Sequence, residues 1–113
     1  MANYLNPNIS NEGILSIGDN VLYTCPNNYT ASFSGLRFSS PSAYDISIRI
    51  ERVSPAATIT YYSFTLDAGD VVTDSGGYFL RSGDQIIVNT NVADVTYFFS
   101  GQVLPFIINE KQP

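Results

Sequence analysis

Three carboxylates recur in one short frame. Asp19 stands in LSIGDNV, Asp70 in LDAGDVV and Asp84 in LRSGDQI, each directly after a glycine and each followed two residues later by Val or Ile. Such a repeat has two chemical readings. As calcium ligands the three would have to converge with other oxygens into a shell of six to eight. No D-x-D-x-D-G loop is present, and the close pair Asp67 and Asp70 is too few. The second reading is a backbone corner that launches a strand. Gly18, Gly69 and Gly83 would supply a positive φ, and Asp19, Asp70 and Asp84 would cap the corner with a side-chain oxygen. The corner reading is the one adopted, with no metal ligand assigned.

Other chemistry finds less support. A glycosidase pair needs two carboxylates at fixed spacing across a cleft, and with ten acidic residues some pair is inevitable and carries no information. There is no histidine, so the usual base for a Ser or Cys nucleophile is missing. The only lysine, Lys111, lies in the C-terminal tail. Cys25 has no activating neighbour and precedes Pro26, which suits a small apolar residue better than a nucleophile. The sequence therefore predicts no catalytic residue, no cofactor and no enzyme activity.

The elements that must position these corners read as strands. In YDISIRIERV, Tyr44, Ile46, Ile48 and Ile50 face one way and Asp45, Ser47, Arg49 and Glu51 the other, the period of a half-buried strand. VTYFFSGQVL puts Val95, Tyr97 and Phe99 on one face and Thr96 and Phe98 on the other. TASFSGLRFSS alternates up to Gly35 and then changes phase, which predicts a bulge there. QIIVNT is apolar on both faces and suits a central strand. Turn clusters at Pro26-Asn27-Asn28, Ser39 to Ser42, Ser54-Pro55, Asp74 to Gly77 and Asn89 to Asn91 separate these runs. Short strands with turns at that spacing predict an all-β, compact single-domain β-sandwich of about eight strands, Greek-key or jelly-roll-like. Ile46, Ile48, Ile50, Val88, Val95 and Tyr97 are the expected core.

A chain of 113 residues suits one domain with a true core. Only 13% of residues are charged, about half the usual share. The surface must therefore be carried by Ser, Thr, Asn, Gln and Tyr. A net charge of −5 with five scattered basic residues argues against binding a nucleic-acid backbone. One cysteine excludes an internal disulfide framework and suits folding in a reducing cytosol. The first residues, MANYLNPNISNEG, lack the basic and apolar regions of a signal peptide, and no apolar run approaches the length of a membrane span. The sequons at Asn8 and Asn28 are then read as accidental.

Aromatic residues carry the functional signal. Tyr61-Tyr62, Tyr78-Phe79 and Tyr97-Phe98-Phe99 place neighbours on opposite faces of a strand. One of each set fills the core; the other faces solvent, a ligand or a partner. Interface burial is favoured, because interface cores are rich in aromatics and poor in charge. Plain core and a stacked glycan are the other readings. Both ends of the chain carry apolar residues: Tyr4, Leu5 and Ile9, and Phe106, Ile107 and Ile108. These suit arms that reach a neighbour. The expected organisation is an N-terminal arm over 1–13, a sandwich over 14–105 and a C-terminal arm over 106–113. Tyr4, Leu5, Ile9, Tyr62, Phe98, Phe106, Ile107 and Ile108 are the interface candidates.

The stretch NVLYTCPNNYTASFSGLRFSS, residues 20–40, resembles the opening of small virion accessory proteins of tailed bacteriophages. YDISIRI, LDAGDVV, GYFLRSGDQIIV and VTYFFSGQVLP follow in the same order, so the resemblance spans about residues 14–105. It implies a compact sandwich, often trimeric, fixed to capsid or tail and assembled in the host cytoplasm. The function it implies is non-enzymatic: a capsid decoration, or cement, protein that binds and stabilises the head lattice as a homotrimer, with the major capsid protein or another virion protein as partner. Neither nucleic acid nor membrane is an expected partner. A tail, neck, fibre or baseplate component is the alternative, followed by a host-glycan-binding module.

Overall fold

The computed structural model describes residues 8–53, 56–74 and 77–105. Among them are nine strands and no helix: β1 (Asn8–Leu15), β2 (Gly18–Thr24), β3 (Tyr29–Ser39), β4 (Tyr44–Val53), β5 (Ala56–Leu66), β6 (Val71–Asp74), β7 (Tyr78–Leu80), β8 (Gln85–Thr90) and β9 (Val95–Pro105). They form two antiparallel sheets. One runs β1-β9-β3-β6, with β7 also on β3; the other runs β2-β8-β4-β5. β6 pairs with Leu36 to Ser39 and β7 with Ala31 to Phe33, so the two are segments of one interrupted strand along β3. Counted as one strand, they leave eight, in the orders 1-8-3-6 and 2-7-4-5. Those are the sheets of a jelly roll, two Greek keys interlocked. The chain is thus an all-β sandwich, with its sixth strand in two pieces.

Alternation builds the core. Tyr44, Ile46, Ile48 and Ile50 point inward from β4, and Ile86 and Val88 from the central strand β8 beside it. Phe33, Leu36 and Phe38 face them from β3. The register of β3 on β9 shifts between Phe33 and Gly35, and that extra residue is what lets both halves of β3 bury their apolar side chains. Tyr23, Phe33 and Phe99 meet edge to face across the sandwich, with centroids 5.1 to 6.4 Å apart. Tyr44 crosses the layers through its hydroxyl, which donates to the Asp70 carbonyl at 2.7 Å. At Gly101 a Cβ would lie 2.1 Å from the Ser32 carbonyl oxygen, so β9 approaches β3 too closely there for any side chain.

Two expectations need correction. Residues 8–13 are no arm: β1 pairs from Asn8 to Leu15 against Gln102 to Val95 of β9. The alternation that marks a half-buried strand is weak there, because Asn11 and Gly13 share the inward parity of Ile9 and Leu15. Tyr97 is only half-buried. It stands beside the edge strand β1, where its ring lies over Gly13 and stacks on Phe99 at 6.3 Å.

Candidate functional site

Gly18, Gly69 and Gly83 have φ of 99°, 83° and 85°. These are conformations in which a Cβ would strain the backbone. The three carboxylates then diverge. Asp84 is 1% exposed and accepts from the Arg81 N–H at 2.9 Å, the Val53 N–H at 3.1 Å and the Arg52 guanidinium at 2.6 Å. Burial pushes its pKa up. The Arg81 N–H, the Arg52 hydrogen bond, the Val53 N–H and the Arg52 charge together outweigh burial and hold it below the ordinary carboxylate value. Asp70 accepts from the Asp67 N–H at 3.3 Å, and its own N–H donates to the Asp67 carbonyl at 3.1 Å. Asp19 does not cap its turn. Its position in β2 turns it outward, where Arg49 meets it with two nitrogens at 2.9 and 3.1 Å and the Asn89 amide donates at 2.8 Å. The hydrogen bonds from Arg49 and Asn89 lower its pKa to about 2.

Asp84 and Asp70 are thus engaged at their own corners and Asp19 across the face of its sheet. Among the described residues no group of three or more His, Cys, Asp or Glu is placed to hold a metal. Cys25 is buried, its Sγ–H donates to the Tyr29 carbonyl, and burial first, then the Asp84 charge, push its thiol up to about 11. A thiolate is the reactive form, and this site disfavours it.

The outer faces of the two sheets differ in kind. On the β2-β8-β4-β5 sheet the polar groups satisfy one another. Asp19, Asn89, Arg49, Glu51 and Thr58 form a chain of hydrogen bonds across all four strands. The outer face of the five-stranded sheet carries mostly Ser and Thr: Ser10, Thr30, Ser32, Ser34, Ser39, Thr73, Thr96 and Ser100. Out of that floor rise Phe98, 39% exposed, Ile14, 66%, Val71, 53%, Leu104, 50%, and Phe79, 50%. Only two charges stand at its described outward positions, Glu12 and Arg37. The register places Glu12 opposite Phe98 and Phe98 opposite Arg37, so the three form one row across β1, β9 and β3. Ile14, Thr96, Ser39 and Val71 form the next row. The two rows line a shallow depression of about 510 Å³. Among the described residues Arg37 is in no ion pair, whereas Arg49, Arg52 and Arg81 each are.

The interface candidates are therefore scattered. Phe98 stands at the centre of this face. Ile9 is half-buried and packs against the core from β1. Tyr62 is in β5, but its side chain lies outside the described residues, as do Tyr4, Leu5, Phe106, Ile107 and Ile108. Glu12, Ile14, Arg37 and Val71 escaped the sequence reading. Their signal lies in cross-strand register, which pairs β1 with β9 about 85 residues downstream. The exposed partner of buried Tyr78 is Phe79, a consequence of the same strand alternation.

No family model matches the chain, and no curated protein matches it. Solved structures do. A chain from the disulfide-linked pili of Bacillus endospore appendages superposes with a TM-score of 0.57 at 11% identity, covering 88% of this chain and 86% of that one. A chain of the acidic-stable capsid of Helicobacter pylori bacteriophage KHP30 gives 0.55 at 16% identity, covering 88% and 87%. The Drosophila NLP core, a histone-binding pentamer, gives 0.50 at 3% identity, covering 88% and 99%. At these identities the likeness is one of fold, and it places the chain among sandwiches that include phage capsid and pilus chains.

Proposed function

We propose that this chain is a non-catalytic structural component of a bacteriophage virion: a decoration protein that binds the head lattice as a homotrimer and stabilises it. The observation that carries the reading is the outer face of the five-stranded sheet. It is nearly free of charge, floored by small side chains, and holds Phe98, Ile14 and Val71 together in the open, the composition of an interface centre. The edge strand β5 adds to it. Its eleven residues, AATITYYSFTL, contain no charge and no proline, the usual protections of a free edge, so an oligomer contact is the cover it lacks. The jelly-roll likeness to a phage capsid chain agrees with a virion role. Attachment works by avidity: three weak contacts on one rigid trimer multiply into a tight one. The partner would be the major capsid protein, and assembly would take place in the host cytoplasm.

The test is binding of the purified protein to isolated heads that lack it, read by co-sedimentation and by cryo-EM density, with trimer mass read by sedimentation equilibrium. Density on the head lattice supports the assignment. Density on tail, neck or baseplate keeps the structural role and moves its address. Absence from purified particles ends it.

A further inference from the structure

The row Glu12, Phe98, Arg37 has a symmetry property of its own. An acid and a base stand on either side of an exposed ring, one strand spacing away on each side, and neither side chain has an ion-pair partner among the described residues. We infer that this face is self-complementary and pairs with the same face of a second copy about a two-fold axis running along β9. This deepens the structural role proposed above, and rests on it only for the setting in which copies meet.

The charges select the axis. A two-fold along β9, in the plane between the faces, carries β1 over β3 and β3 over β1. Glu12 of each copy then lies over Arg37 of the other, and Phe98 lies over Phe98. A two-fold across the strands would place Glu12 over Glu12 and Arg37 over Arg37, which like-charge repulsion disfavours. The chosen axis keeps strand directions aligned, the common way for two sheets to pack face to face. Ser32, Ser34, Ser100 and Thr96 leave a low floor, so the sheets can approach until Phe98 and Ile14 are covered. An isologous contact of this kind closes on itself after two copies.

The expected strength follows from the size of the face. About this axis β1, β9 and β3 overlap their counterparts and β6 falls outside, so three strands by about eight residues give a footprint of roughly 14 by 27 Å, about 400 Å², from standard strand spacings. A stable standard interface buries about 800 Å² on each side. The contact is therefore weak between free molecules and is made where copies are already concentrated. In a lattice of trimers it joins one trimer to the next, because a face-to-face contact of identical faces cannot by itself generate three-fold symmetry.

The experiment is sedimentation equilibrium of the full chain over a wide concentration range, for the wild type, E12R, R37E and the double variant E12R/R37E. Both substitutions sit at exposed positions, and thermal melts check that each variant folds. Two-fold association appears as dimer, or as a doubling of the trimer mass. Each single variant should weaken that step about tenfold or more, by setting like charges face to face, and the double variant should restore it to within about threefold. Single variants that associate like the wild type, a double variant that fails to recover, or a wild type with no two-fold step up to about 1 mM, a dissociation constant at the weak limit, would overturn the contact. The trimer itself is read separately at low concentration. Its loss would count against the trimeric decoration reading and leave the charge-swap result to decide the two-fold face.

Discussion

Removing the Asp84 carboxylate should be among the most damaging single changes in this fold. The group is buried at the corner between β7 and β8. It holds Arg52 at 2.6 Å, while the same Arg52 nitrogen donates to the Phe79 carbonyl at 2.8 Å, so one guanidinium ties β4 of one sheet to β7 of the other. The Asp84 oxygens also accept the Arg81 and Val53 N–H groups. Asp84→Ala strands a side chain, Arg52, that is only 11% exposed, together with two backbone donors. Breaking a buried pair from one side costs about 3–5 kcal/mol. At roughly 4 °C per kcal/mol for a chain of this length, that is a fall in Tm of about 12–20 °C. The pH dependence has a definite sign. The folded-state pKa of Asp84 is lowered, so its contribution is fully present above the unfolded value of about 3.9 and is lost as pH falls through the folded value. The gap between wild type and Asp84→Ala, measured by urea denaturation, should be wide from pH 5 to 7 and should close as pH falls below about 4. A double cycle with Arg52→Ala should show strong coupling. A gap under about 1 kcal/mol at pH 7, or one equally wide at pH 2.5, would refute the role assigned to this pair.

Gly101→Ala should destabilise the fold by more than about 2 kcal/mol or prevent folding, because the new Cβ would lie 2.1 Å from a backbone oxygen that cannot swing away; circular dichroism melts check it. Thr90→Val should be neutral or stabilising by about 1 kcal/mol in the same melts, since the Thr90 hydroxyl is buried without a hydrogen-bond partner. Ile48→Ala, at the fully buried centre of β4, should cost about 2–5 kcal/mol by urea denaturation. Deleting residues 106–113 should leave the melting temperature within a few degrees of wild type, roughly the effect of 1 kcal/mol, and weaken trimer formation or attachment to particles, as read by co-sedimentation.

What could be read from the sequence was whatever a single strand encodes. The alternation of β4 announces its buried face, the phase change at Gly35 announces the bulge, and a run apolar on both faces marks β8 as central. What could not be read depends on which strands become neighbours. β1 lacks alternation, so only its pairing with β9 makes it a strand, and with that pairing Glu12 comes to stand beside Phe98. The three Gly-Asp corners look alike in the chain. They part ways because one Asp faces Arg52 inside the corner, one bonds its own turn, and one faces Arg49 on the open face of a sheet.

The scarcity of charge gains meaning from where the charges sit. Three of the four described arginines are spent within the molecule: Arg49 on Asp19 and Glu51, Arg52 and Arg81 on Asp84. The pairs of Arg49 give the β2-β8-β4-β5 sheet an outer face whose polar groups are already satisfied, and a partner docking there would have to break them. Among the described residues the other sheet's outer face has no such ionic network to lose. Covering its Ser and Thr floor costs little desolvation compared with covering ions. Covering Phe98, Ile14, Val71 and Leu104 returns roughly 25 cal/mol for each Å² of apolar surface removed from water. The one unspent arginine, Arg37, lies on that face, two strands from Glu12. A pair left apart in the single chain but matched between two copies supplies direction where apolar contact supplies only adhesion.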